Sequence, residues 1–191
     1  FVGINTGTLG FFQEISFDKI EKFIDDYLEQ KYFVEKIRLL DCDLKTNDMV
    51  FTNKCLNDFV IKSNNSEVIH LDIFIDENHL ETFAGDGLII STPSGSTAYN
   101  MSAGGSIMYP TLRGFQLTPL APIFSKVYRT ISNSLVIPDT STLKIVPLEN
   151  QHKKISFVID GIEKDYTDVS YFEFKKSLFK LYKLVFNENW Y

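Results

Sequence analysis

The sequence predicts an α+β protein that is predominantly β. Three observations predict it. One clear stretch, near the N-terminus, carries the apolar spacing of an amphipathic helix. The long remainder alternates apolar and polar residues, with turn residues at hairpin distances. Aromatic residues make up 14% of the 191 residues, 17 of them Phe, and such side chains favour strands and large buried contacts.

The elements follow in order. Phe1 to Ile4 reads as the end of a buried strand that runs into the glycine-bearing loop Asn5–Gly10. Ser16 suits an N-cap and Asp18 a positive first turn. Ile20, Phe23, Ile24, Tyr27 and Leu28 recur at helical spacing, and Tyr32 and Phe33 end the helix. Val34 to Leu40 is strand-like, and Phe59-Val60-Ile61 is a stronger case. In Val68–Ile75, Ile69, Leu71, Ile73 and Ile75 share one pleated face. Asn64-Asn65-Ser66 and Asp76-Glu77-Asn78 punctuate as turns. Further strands are expected at 134–137, 143–146, 155–159, 171–174 and 178–186, with Asp160-Gly161 as a two-residue hairpin turn.

Charge and composition exclude several classes. The formal net charge is −6, and only Arg38, Arg113 and Arg129 are arginines. A dedicated nucleic-acid binder needs Lys and Arg against phosphates, so no nucleic-acid partner is expected. Cys42 and Cys55 form no disulfide framework and have no zinc-ligand spacing, so a reduced, cytoplasmic setting is expected. Apolar runs are too short for a membrane helix, and the first residues lack the pattern of a signal peptide. No membrane partner is expected. His70, His79 and His152 lie far apart and show no ligand spacing, so the metal site is unassigned.

Gly85–Gly105 departs from plain β patterning. It reads GDGLIISTPSGSTAYNMSAGG and holds five of the ten glycines. A short apolar strand, Leu88-Ile89-Ile90, feeds a small-residue turn and then a helix expected to start near Ser96. Small residues leave room for a flat ligand against the backbone. Ser94, Ser96, Thr97 and Ser102 offer hydroxyls, and Tyr99 offers a stacking face with a polar tip. The plainer reading is a tight strand–turn–helix crossing, and composition alone leaves the two about equal. Asp86 between two glycines is either a solvated turn residue or a carboxylate that a ligand can approach closely.

With these residues in view, the sequence resembles the NAD kinases. The resemblance rests on NTGTLGF (Asn5–Phe11), on Asn57-Asp58 followed by FVIKS, and on the Gly85–Gly105 block, in that order. It continues through Ile107–Pro110, Gln116–Ile123 and Val127–Arg129, and covers about residues 1 to 165. Members of the family transfer a phosphoryl group from ATP or polyphosphate to the adenosine 2′-hydroxyl of NAD, giving NADP. The resemblance therefore implies NAD, NADP and ATP as ligands, a divalent cation such as Mg²⁺, and a homodimer or homotetramer. It implies the end of a Rossmann-like α/β domain at 1–32, a β-rich NAD-binding domain at 33–175, and a C-terminal strand or tail at 176–191.

The same resemblance supplies site residues. Adenosine is expected against Asn57, Asp58, Ser94, Thr97, Ala98 and Tyr99. The nicotinamide half is expected near Asp86, Ser102, Ala121, Ile123 and Asp160, with Phe11 as an aromatic edge. These types suit the task. An Asn amide can pair with an adenine edge, and a carboxylate can accept from ribose hydroxyls. Two departures stand out. No Gly-Gly-Asp occurs, so the family's catalytic Asp is expected upstream of Phe1 and no catalytic residue is assigned here. The family's Asn-Glu pair is Asn57-Asp58, one methylene shorter. The competing reading is a non-catalytic NAD- or NADP-binding or assembly module. A lipid-kinase substrate ranks below both, for want of a membrane-facing amphipathic helix.

Overall fold

A computed structural model describes residues 1–6, 15–65, 67–123, 130–148 and 154–186. In chain order the elements are β1 (Ile4–Asn5), β2 (Ile15–Ser16), α1 (Ile20–Leu28), β3 (Phe33–Ile37), β4 (Leu40–Thr46), β5 (Val50–Cys55) and β6 (Asp58–Ser63). Then come β7 (Ile69–Ile75), β8 (Asn78–Gly85), β9 (Gly87–Ser91), α2 (Tyr99–Ser102), β10 (Gly114–Leu120) and β11 (Leu135–Pro138). The last are β12 (Leu143–Pro147), β13 (Ile155–Ile159), β14 (Ile162–Tyr166), β15 (Val169–Lys176) and β16 (Leu181–Val185). The predominantly β class is borne out.

The chain forms two compact units, Phe1–Ile37 with Lys180–Tyr191, and Arg38–Phe179. In the first, β1 pairs in parallel with β2, and β16 pairs antiparallel with β3. A 3-10 turn at Phe17–Lys19 leads into α1. Ser16 makes no side-chain cap bond to the backbone. Its hydroxyl donates to Asp18 instead and lowers that carboxyl's pKa. The apolar face of α1 meets Phe186 through Phe23, ring centroids 5.0 Å apart. Phe1 and Ile4 are exposed, contrary to the buried strand expected. A two-residue strand with one neighbour gives them too little cover.

The second unit is a sandwich of two six-stranded sheets. One runs β11-β10-β9-β6-β13-β14, the other β5-β4-β15-β12-β7-β8. All these pairings are antiparallel. Alternation explains the layers, because residues two apart on a strand face the same way. Ile69, Leu71 and Ile73 of β7 are buried, as their spacing requires, while His70 is exposed. Inward-facing Phe59, Phe157, Phe172 and Phe174 form the centre of one apolar cluster. Phe59 stacks on Phe157 at 5.3 Å, and Phe157 tilts onto Phe172 at 5.1 Å.

Gly85-Asp86-Gly87 carries the chain from the edge strand β8 of one sheet into β9 inside the other. Cys42 and Cys55 are buried free thiols, and burial pushes both well above the ordinary thiol pKa. Both belong to the apolar core cluster. The last strand is shorter than expected. Leu178 and Phe179 lie outside it and are exposed, because pairing with β3 begins only at Leu181.

Candidate functional site

The helix expected from Ser96 does not form as such. Ser94–Thr97 is a 3-10 turn, and α2 is a single turn. The cause is local, since the hydroxyl and amide side chains bind backbone groups and hold the chain in turns. Ser96 Oγ donates to the Pro93 carbonyl at 2.7 Å and accepts from Met108 N at 3.0 Å. Buried Asn100 donates to the Ser96 and Ser106 carbonyls, and its Oδ1 accepts from the Thr118 hydroxyl at 2.6 Å. The Gln116 amide exchanges two bonds with the Ser106 backbone. Most of the block's buried polar groups are thus spent on its own architecture.

That architecture fixes Asn57 and Asp58 from two sides. On one side, Thr92 N donates to the Asn57 carbonyl at 2.9 Å, and Thr92 Oγ1 donates to the Leu56 carbonyl at 2.6 Å. Gly95 lies so close that a Cβ there would sit 2.0 Å from the Asn57 carbonyl oxygen. Only glycine permits that approach. On the other side, the Asp160 carboxylate accepts from three backbone amides. Leu56 N lies 2.8 Å from Oδ2, and Asn57 N and Asp58 N lie 2.7 and 3.2 Å from Oδ1. Asp160 and Gly161 have φ of 46° and 83°, so the hairpin turn read from Asp-Gly forms.

Between these supports lies a cleft of about 510 Å³. Asn57, Asp58, Ala98, Tyr99 and Asp160 line it, five of the residues the resemblance picked out. Asn57 Oδ1 is buried and has no hydrogen-bond partner, an acceptor left open in a clamped side chain. Asp58 is 5% exposed, and burial together with the Asp160 charge pushes its carboxyl up to about 6.

The other candidates lie off the cleft's lining. Ser94 and Thr97 are half-buried in the turn, and Ser102 is exposed at the end of α2. Asp86, Ala121 and Ile123 form a second group. Asp86 N donates to the Leu120 carbonyl and Ile123 N to the Ala84 carbonyl, and Ala121 has φ of 43°. Phe11 lies outside the described residues. Sequence reasoning missed Val60, Lys62, Val158, Gly161 and Glu163, which complete the cleft. The period-two spacing of 58, 60 and 62 on one strand could have found the first two.

Among the described residues no three His, Cys, Asp or Glu side chains converge. Asp160 already serves three amides. This donor set does not fit an all-protein Mg²⁺ cage. Among the described residues no helix is long and apolar enough to cross a membrane.

The fold and cleft together define a β-sandwich domain with a polar-lined cleft on clamped backbone. Residues 56–185 match the family model of the ATP-NAD kinase C-terminal domain. The chain belongs to the NAD kinase family. It is 51% identical over 195 residues to the NAD kinase of Finegoldia magna, covering 100% of this chain and 71% of that one. It is 34% identical over 177 residues to the NAD kinase of Staphylococcus aureus strain JH9, covering 92% of this chain and 65% of that one. Among solved structures it resembles yeast NADH kinase complexed with NADH, at TM-score 0.85 and 29% identity. That match spans 97% of this chain and 54% of the other. It also resembles an NAD kinase from Archaeoglobus fulgidus in complex with ATP, at TM-score 0.75 and 25% identity. There the spans are 98% and 68%. The chain thus corresponds to between about half and seven-tenths of these relatives.

Proposed function

We propose that the protein containing this chain phosphorylates the adenosine 2′-hydroxyl of NAD with ATP, or with polyphosphate, to give NADP. The reading is carried by one observation beyond family membership. The cleft presents an unpartnered buried Asn57 Oδ1 beside the Asp58 carboxylate, on backbone fixed from both sides. In this reading Asn57 pairs with the adenine edge and Tyr99 packs on the base. Ala98 leaves room for the base, and Ser94 and Thr97 support the turn. Asp58 accepts from a ribose hydroxyl.

The reaction forms a bond from the ribose 2′-oxygen to the terminal phosphorus and breaks the bond to the leaving ADP or shortened polyphosphate. The hydroxyl proton goes to a base that we assign to the family's Gly-Gly-Asp-Gly-Thr motif. Phosphoryl transfer rests mainly on positioning, which is what this domain contributes. The nicotinamide half is assigned to Asp86, Ser102, Ala121, Ile123 and Asp160, and an aromatic edge to Phe11. A Mg²⁺ requirement, a homodimer or homotetramer and a cytoplasmic location belong to the same proposal. Met101, Ile107 and Tyr109 are exposed large side chains that suit contact between copies.

The test is NADP formation by the full-length protein from NAD, ATP and Mg²⁺. Absence of turnover together with tight NADP binding would favour the binding-module reading instead. Binding carries a pH signature as well. Ionised Asp58 is the stronger acceptor for a ribose hydroxyl, so NAD affinity should rise as pH passes through about 6. A flat affinity profile between pH 5 and 7.5 would remove Asp58 from the ribose contact.

A further inference from the structure

The cleft continues past the residues tied to adenosine. Asp58, Val60 and Lys62 project from one face of β6, spanning about 13 Å at ~3.3 Å per residue. Val60 pairs with Val158 on β13, and Val158 pairs with Glu163 on β14. The lining therefore grades from polar at Asn57 and Asp58, through an apolar floor at Val60 and Val158, to a charged end at Lys62 and Glu163.

The charge balance along this lining is uneven. Asp58, Asp160 and Glu163 are three carboxylates, and Lys62 is the only cation among the lining residues. A dinucleotide brings a doubly negative diphosphate. Acidic walls alone would repel it. Lys62 Nζ lies 3.3 Å from Glu163 Oε1, and the Ser156 hydroxyl donates to that same oxygen. The Lys62 and Glu163 side chains are 42% and 52% exposed, so their ion pair is weak and exchangeable. Glu163 keeps its serine partner if the lysine leaves.

We propose that Lys62 is the phosphate contact of this cleft: it takes the diphosphate of the dinucleotide whose adenosine end lies on Asn57 and Asp58, leaving Glu163 to Ser156. The assignment rests on the nucleotide reading above and extends it to Lys62, a residue of the quoted FVIKS run to which the resemblance gives no role. A long flexible lysine stem anchored at the charged end can lean back over the Val60 floor to reach a phosphate.

Calorimetry on the full-length protein tests it, with NAD, NADP and adenosine as probes. Lys62→Gln should weaken both NAD and NADP about tenfold, the loss of one charge-assisted hydrogen bond. Lys62→Arg should restore most of that affinity, and Glu163→Gln should tighten both ligands by freeing the lysine. Adenosine, which has no phosphate, should change less than twofold in every variant. The exposed pair contributes little to folding, and an unchanged melting temperature of Lys62→Gln verifies that.

Unchanged NAD and NADP affinity in Lys62→Gln overturns the proposal. A loss confined to NADP also overturns it, because the group met would then be the 2′-phosphate. Equal losses for adenosine and NAD overturn it as well, as a general disturbance of the cleft. Failure of the unmodified protein to bind any of the three would reject the nucleotide reading itself.

Discussion

Asp58 is held in a state that costs the folded chain stability. Its ordinary carboxyl pKa of 3.8 is raised to about 6, first by burial and then by Asp160. A raised carboxyl means the folded state binds the proton more tightly than the unfolded state. The associated stability is fully present below about pH 3.8 and is lost as pH rises to about 6. The loss above that is at most about 3 kcal/mol at ~1.4 kcal/mol per unit. Asp58→Asn keeps the shape and removes the charge. It should therefore melt at a higher temperature than the native chain at pH 7, with the gap closing toward pH 4. Melting curves of both across that range decide the matter, and a gap independent of pH would contradict this account. The same substitution should weaken NAD, because a neutral amide oxygen is a weaker acceptor for the ribose hydroxyl than a carboxylate. The Asn57-Asp58 pair was legible in the sequence as a motif. The raised pKa was not, because it depends on Asp160, 102 residues away, and on burial by neighbouring strands.

At the scale of elements, the β13–β14 hairpin acts as a clamp on the start of β6. Its turn residue Asp160 accepts from three successive amides, Leu56 and Asn57 after β5 and Asp58 at the start of β6. Asp160→Ala should destabilise the domain by about 2–3 kcal/mol, since hydrogen bonds to a charged group are the strong ones. Hydrogen exchange at the amides of Leu56, Asn57 and Asp58 should speed up together, and protection unchanged at all three would refute the clamp. Gly161→Ala should cost about 1–2 kcal/mol through its positive φ alone, because a Cβ there meets nothing within 4 Å. A comparable tether acts on the segment after β10. Buried Glu81 accepts from Ile131 N at 2.8 Å, and Ile123 N donates to the Ala84 carbonyl at 2.8 Å. The second bond ties Ile123 to β8, and the first ties Ile131 to the same strand. The Asp-Gly turn was readable from two residues. What its carboxylate holds was not, because the partners come from a different strand.

At the scale of the whole molecule, an aromatic layer lies in the core between the two large sheets. Phe157 is fully buried and touches Phe59 and Phe172. Phe157→Ala should cost about 3–5 kcal/mol, the transfer loss plus a cavity that packed neighbours cannot fill. Denaturant unfolding would measure it, and a loss below 1 kcal/mol would mean that the layer relaxes into the space. Phe157 also lies next in sequence to Val158 of the cleft floor. The strand that fills the core inward therefore presents the cleft floor outward.

The sequence by itself determined the strand faces, the turns and the family, because these are local: alternation of apolar residues, Asp-Gly and Asn-rich punctuation, and one unbroken motif from Gly85 to Gly105. It also pointed to the half of the cleft that its motifs name. Only the tertiary structure decided that the block's buried Thr92 and Ser96 hydroxyls bind backbone groups, and that Asp160 clamps the Asn57-Asp58 backbone. Only there, too, do Lys62 and Glu163 meet across three strands. The physical reason is pairing distance. β6 lies beside β9 and β13, strands far from it in sequence, and no local pattern fixes which strand will supply a neighbour's charge or hydrogen bond.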